Sequence, residues 1–150
     1  MKLALKEADK ALLKDEVPIG CVIVKDDKVI ARSHNIKEST HNPMGHAELI
    51  AISKACKKLQ NWRLEDCDIY ITLEPCIMCT GAIIQSRIRN IYFGAYDPKG
   101  GALGSSINVL EANNINHHPN VEGEILLEEC SSKITNYFKN KRLQNKENRQ

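Results

Sequence analysis

Two short stretches of this sequence hold residue types at spacings that could do chemistry: His46-Ala47-Glu48 and Pro75-Cys76-Ile77-Met78-Cys79. One imidazole and two thiolates form a borderline-soft donor set that suits zinc. Three protein ligands leave a fourth tetrahedral position for water, which is the catalytic pattern; structural sites usually close with four. Glu48 cannot also be a ligand if water is to bind, so its fitting role is general base and then general acid. Zinc would bring the water close to neutral ionisation. Glu48 would take a proton from that water and return it later in the reaction. Cys-x-x-Cys alone also fits a thioredoxin-like redox pair, and His46 alone would read as an ordinary histidine. Their conjunction with Glu48 and Pro75 favours the metal.

For these groups to meet, both motifs have to sit where the chain enters a helix. Cys76 and Cys79 are three apart and share a helical face, and a helix N-terminus favours thiolate over thiol. His46 and Glu48 would stand about 200° apart on a regular helix. Both can face one ion only if His46 lies in an irregular first turn. The hydropathy pattern predicts a helix over Leu3 to Leu13 and a hairpin of Ile19 to Val24 and Val29 to Ser33. A polar loop over 35–45 contains Pro43, and a helix follows from His46 to Leu59. Then come a buried strand from Ile69 to Leu73, a helix opened by Pro75 and running to about Ser86, and a strand from Asn90 to Ala95. A glycine-rich loop over 97–104 and a helix from about Leu126 to Arg142 complete the reading, with a basic, frayed tail from about 143. Strands interleaved with helices predict an α/β layered fold in one domain spanning 1–150.

Composition excludes some classes. Of 150 residues, 42% are apolar and 27% charged, the balance of a soluble globular protein, and a net charge of +2 makes the overall field a weak argument for a polyanion. No run approaches the ~18 apolar residues of a bilayer span. Lys6, Glu7, Asp9 and Lys10 interrupt any secretory leader. The expectation is therefore a cytoplasmic protein, free of the membrane, with reduced thiols. Cys21, Cys56, Cys67 and Cys130 read as small buried hydrophobes. His34, His117 and His118 read as non-ligands, and His41 could stand behind a ligand. Trp62 reads as an anchor of a helix end.

The signature His-x-Glu followed by Pro-Cys-x-x-Cys is that of the zinc nucleobase deaminases, and further residues narrow the resemblance. Glu16-Val17-Pro18-Ile19-Gly20, Asn35, Pro43, Asn61-Trp62-Arg63-Leu64 and Thr72-Leu73-Glu74 resemble the bacterial tRNA-specific adenosine deaminases, within the cytidine deaminase-like superfamily. Gly94-Ala95, Asp97, Lys99, Gly101-Ala102, Gly104-Ser105, Asn116-His117 and Tyr137-Phe138-Lys139 extend the likeness to about Arg142. The chain departs from that pattern at Asn42-Pro43-Met44-Gly45, at Tyr137 and at Ile77.

The resemblance implies a three-layer α/β/α sandwich around a mixed sheet of about five strands, one Zn2+ per subunit and a homodimer. It also implies deamination of the wobble adenosine in a tRNA anticodon stem-loop. Carried over by position, Asn35 and the Ala47 backbone would hold the purine edge, and Glu16, Val17, Pro18 and Leu73 would shape the pocket. Asp97 and Lys99 would meet the nucleotide backbone. Tyr137, Phe138, Lys139 and Arg142 would meet the anticodon loop, their cations suiting phosphate and their aromatics a splayed base. The rivals are a free-base or nucleoside deaminase acting on guanine, cytosine or cytidine, and a zinc-stabilised RNA-binding module without catalysis.

Overall fold

The computed structural model describes residues Met1–Gln150. The elements run α1 (Lys2–Leu13), β1 (Gly20–Lys25), β2 (Lys28–His34), α2 (Ala47–Leu59), β3 (Cys67–Leu73) and α3 (Ile77–Gln85). They continue with β4 (Asn90–Ala95), a 3-10 turn (Val109–Glu111), β5 (Asn120–Glu122) and α4 (Leu127–Glu147). The sheet order is β2-β1-β3-β4-β5. β1 pairs antiparallel with both β2 and β3, while β3–β4 and β4–β5 are parallel. The sheet is therefore mixed, as expected.

Alternation of side chains along the strands puts Cys21, Ile23, Ile69, Ile71, Ile91 and Phe93 into one buried core with Ala47, Ala51 and Ala55 of α2 and Ile83 of α3. The opposite face carries a smaller cluster joining Leu5 of α1, Ala95 and Cys130 of α4. Two helices on each face of one sheet make three layers.

α1 lies directly on β1 because its inner stripe is Ala4, Ala8 and Ala11 and the strand below it begins at Gly20. A Cβ on Gly20 would stand 1.8 Å from the Ala4 carbonyl oxygen, so the contact is backbone against backbone. The buried Glu7 carboxylate ties the same helix to β2, meeting His34 Nδ1 and Lys10 Nζ at 3.0 Å each. α1 and the turn after it meet α4 at the surface: Asp9 of α1 pairs with Lys133, and in the turn Asp15 Oδ2 pairs with Lys141 Nζ at 2.6 Å while the Tyr137 hydroxyl donates to the Asp15 carbonyl at 3.4 Å.

Three expectations change. α4 continues more than a turn past Arg142, to Glu147, because Leu143, Gln144, Lys146 and Glu147 are all good helix formers with no glycine or proline among them. The basic tail is thus largely helix. The resemblance implies about five strands, but the hydropathy pattern does not locate β5: all three of its residues are exposed and carry no alternation, and β4 recruits them by parallel pairing. Trp62, read as the anchor of a helix end, stands further into solvent than that reading implied. It is 56% exposed, with the Arg63 guanidinium 4.8 Å above its ring. No helix is long and apolar enough to cross a membrane.

Candidate active site

His46 is the N-cap of α2, with extended backbone angles of φ −88° and ψ 140°. It is thus outside the helical turn, which resolves the angular conflict with Glu48. Its ring is aimed away from the helix, so it cannot cap the α2 N-terminus itself. Asn35, the residue just past β2, meets one of its free N–H groups instead. Asn35 Oδ1 accepts from the Ala47 N–H at 2.9 Å, and the Ser33 hydroxyl donates to the Ala47 carbonyl at 2.5 Å. Ser33 and Asn35 are two apart, so one face of the chain leaving β2 fixes the start of α2. Cys76 is likewise the N-cap of α3, extended at φ −75° and ψ 177°, and Cys79 follows in the first turn.

These two helix starts bring three donors together. His46 Nδ1 lies 3.8 Å from Cys76 Sγ and 3.5 Å from Cys79 Sγ, and all three ligand atoms lie within 4.8 Å of one another. Ligands at ~2.1 Å for nitrogen and ~2.3 Å for sulfur around a tetrahedral ion stand about 3.6 Å apart. The group therefore fits a divalent metal ion with one open position. The thiols show the same predisposition. Hydrogen bonding from the Cys79 thiol outweighs burial and, with His46 and the Cys79 backbone, holds the Cys76 pKa down to about 4. Cys79 moves the opposite way, since its hydrogen bond to Cys76 and its burial keep its proton on. The pair shares a proton that a cation would displace.

Glu48 is 3% exposed, and its Oε1 is a buried side-chain oxygen without a partner. Burial pushes its pKa up, against the pull of its own backbone and of His46. A carboxyl so placed can hold a proton and give it back.

Above the donors opens a cavity of about 810 Å³. Glu16, Val17, Asn35, His46, Leu73, Asp97, Lys99, Phe138 and Arg142 are among the residues that line it. Pro18 and Ala47 are fully buried and are not among the lining residues. The Glu16 carboxylate is turned to the 36–45 loop, where it accepts the Glu38 and Ser39 N–H groups, with Glu38 at 2.5 and 3.0 Å. It shapes the cavity by holding that loop. Asp97 does similar work within its own loop, its Oδ1 accepting from Lys99 and Gly100 N–H at 3.2 Å each.

Besides Pro18 and Ala47, two carried-over positions on α4 do not line the cavity. Tyr137 faces the turn after α1, and Lys139 points to solvent. The helical repeat explains this, because residues 133, 137 and 141 form the stripe that meets α1 and that turn while 134, 138 and 142 form the neighbouring stripe on the cavity. Ile134 was missed, although its spacing from Phe138 and Arg142 is a signal that could have found it. Lys37, Tyr96, Pro98 and Thr135 also line the cavity; no motif marks them. Among the other histidines, His117 Nε2 meets the Ile88 carbonyl at 2.6 Å and His41 is exposed. Cys21, Cys67 and Cys130 are buried as expected, and Cys56 is half-buried.

A family model described as MafB19-like deaminase matches residues 1–142. The tRNA-specific adenosine deaminase of Bacillus subtilis (strain 168) is 46% identical over 97% of this chain and 91% of its own length. That of Aquifex aeolicus (strain VF5) is 44% identical over 93% and 91%. A solved structure described as a study of A-to-I editing by tRNA:A34 deaminases at the wobble position of transfer RNA superimposes with a TM-score of 0.86. It is 44% identical, over 89% of this chain and 96% of that one. A guanine deaminase from Bacillus subtilis is more distant, with a TM-score of 0.60 and 39% identity over 63% and 61%. On these likenesses, and with the donors assembled as described, the chain belongs to the tRNA-specific adenosine deaminase family.

Proposed function

We propose that the protein converts the wobble adenosine of a tRNA anticodon loop to inosine, with one zinc ion held by His46, Cys76 and Cys79 and with Glu48 moving the protons. The observation that carries this reading is the buried, unpartnered Glu48 oxygen beside a three-ligand group, near a cavity whose lining includes Lys37, Lys99 and Arg142 together with Glu16, Glu38 and Asp97. When bound, zinc is a Lewis acid that brings water near neutral ionisation.

In the reaction the water oxygen adds to C6 of the adenine, the C6–N6 bond breaks, and ammonia leaves. Glu48 takes a proton from the water and gives it to N1; it then passes the hydroxyl proton to N6, which departs as the amine is protonated. Asn35, whose Oδ1 is held by Ala47, keeps its amide N–H2 for a purine acceptor. Val17 and Leu73 offer apolar walls to the base. Lys99 and Arg142 suit backbone phosphates, and Phe138 suits a splayed neighbouring base. An anticodon loop is a sensible source, since extruding a base costs a few kcal/mol and least where it is already unstacked.

The likeness to a guanine deaminase keeps a free-base substrate in view, but a free base needs neither Lys99 nor Arg142 at the rim. The deciding experiment incubates the protein with an anticodon stem-loop carrying adenosine at the wobble position and reads inosine by mass spectrometry, with guanine, cytosine and cytidine alongside. Inosine in the stem-loop supports the proposal; turnover of a free base without it replaces the proposal with the smaller-substrate reading. A homodimer in the cytoplasm belongs to the same reading. Met44 and Ile77, exposed beside the ligand motifs, are apolar surface that a second copy would cover. Sedimentation at the monomer mass would remove the dimer from the account.

A further inference from the structure

The segment between β4 and the 3-10 turn folds around a side chain that belongs to neither. Glu74 lies between Leu73, which lines the cavity, and the Pro75-Cys76 entry to the metal group. It is 2% exposed, and four donors from one loop converge on its carboxylate. Oε1 accepts from the Asp97 N–H at 3.2 Å and from the Ser105 hydroxyl. Oε2 accepts from the Leu103 N–H at 3.0 Å and the Ser105 N–H at 3.2 Å. Every recorded partner is a donor, so the position calls for an acceptor on both atoms, which a carboxylate supplies and a carboxamide does not.

The loop is built to this arrangement. Gly101 packs so tightly on Glu74 that a Cβ there would stand 2.4 Å from the carboxyl carbon and 2.5 Å from both oxygens. Its own N–H donates to the Asp97 carbonyl at 2.8 Å, and the next N–H, of Ala102, donates to the Pro75 carbonyl at 2.9 Å. One buried acid thereby joins the entry to the metal group to the loop that presents Asp97 and Lys99 to the cavity.

We infer that Glu74 is a positioning residue for RNA recognition: its carboxylate holds the 97–105 loop in the shape that places Lys99 at the cavity rim, without itself touching substrate. This rests on the reading of the protein as a deaminase of a structured RNA loop. Loss of the clamp frees the loop and leaves the ligands and Glu48 in place, so it acts on substrate binding and leaves the chemical step alone.

The test compares Glu74→Gln, Ser105→Ala and Ser105→Thr with the unaltered zinc-loaded protein on the anticodon stem-loop. Glu74→Gln is expected to raise KM about tenfold with kcat within about twofold and zinc content unchanged. Ser105→Ala, which removes one exposed donor and leaves the core alone, shifts KM the same way by less, and Ser105→Thr restores it by keeping the hydroxyl. Amide hydrogen exchange over 97–105 is expected to speed up at least tenfold in Glu74→Gln, a readout independent of turnover. A fall in kcat at constant KM, loss of zinc, or unchanged exchange in 97–105 overturns the inference. If Glu74→Gln does not fold, an unchanged KM in Ser105→Ala overturns it equally. Failure of the unaltered protein to deaminate the stem-loop would instead strike the reading beneath it, and the exchange result would still decide whether Glu74 holds the loop.

Discussion

Glu48 is buried in the first turn of α2, and one of its carboxylate oxygens, Oε1, makes no hydrogen bond to the protein. A buried oxygen left in this way costs stability unless something else meets it, and the cavity beside the donors is where a substrate or water would do so. Glu48→Gln keeps the shape and removes the proton carrier. It is expected to lower inosine formation by a factor of at least ~10²–10⁴, with zinc content and far-UV circular dichroism unchanged; a variant that kept its rate would remove Glu48 from the chemistry. The ligands and Glu48 were legible in the sequence because each lies within a few residues of a helix start, where spacing translates directly into direction. Glu74 was not legible as a clamp. Its partners lie between 97 and 105, and nothing local announces that a loop so far along the chain will wrap around it.

At the scale of elements, α4 has two working stripes. One meets α1 and the turn after it through Lys133, Tyr137 and Lys141; the other lines the cavity with Ile134, Phe138 and Arg142. Arg142→Ala is expected to weaken stem-loop binding and reduce the slope of log affinity against log salt by about one, the signature of a lost phosphate contact. Lys141→Ala, whose ammonium is paired with Asp15 and sits 5.8 Å from the Tyr137 ring, leaves that slope as it was. Filter binding across a salt series separates the two. The pattern of apolar residues foretold the helix but not which stripe went where, because Tyr137 and Phe138 are both aromatic and only docking against α1 distinguishes them. β5 was illegible for a related reason: strand alternation reports burial, and a strand exposed throughout has none to report.

For the whole molecule, acid and chelation are the informative perturbations. Burial pushes the Glu7 carboxyl up, but hydrogen bonds from His34 and Lys10 outweigh it, and the net pKa lies below the ordinary 4.5. Unfolding therefore takes up a proton at Glu7. Its contribution to stability is full above about pH 4.5 and is lost as pH falls through the lowered folded value. Glu7→Gln is expected to flatten the acid limb of the stability curve below that point, read from urea melts between pH 3 and 7; an acid limb of unchanged steepness would count against the linkage. Chelation acts on the other face of the sheet. Removing the metal should lower the melting temperature and abolish turnover, and zinc should restore both, because an ion held by His46, Cys76 and Cys79 would join the starts of α2 and α3 in the folded chain alone. Thermal melts and activity before and after add-back check this.

The absence of room at Gly20 reaches further than the strand it begins. With no side chain between them, α1 and β1 stand backbone to backbone, so the position of the helix, and of Asp9 and Asp15 that meet Lys133 and Lys141 of the last helix, depends on that closeness. A single added methyl, Gly20→Ala, would lift the helix. The disturbance would be felt at Phe138 and Arg142, more than a hundred positions downstream, while the sulfur and imidazole donors across the sheet stayed where they are.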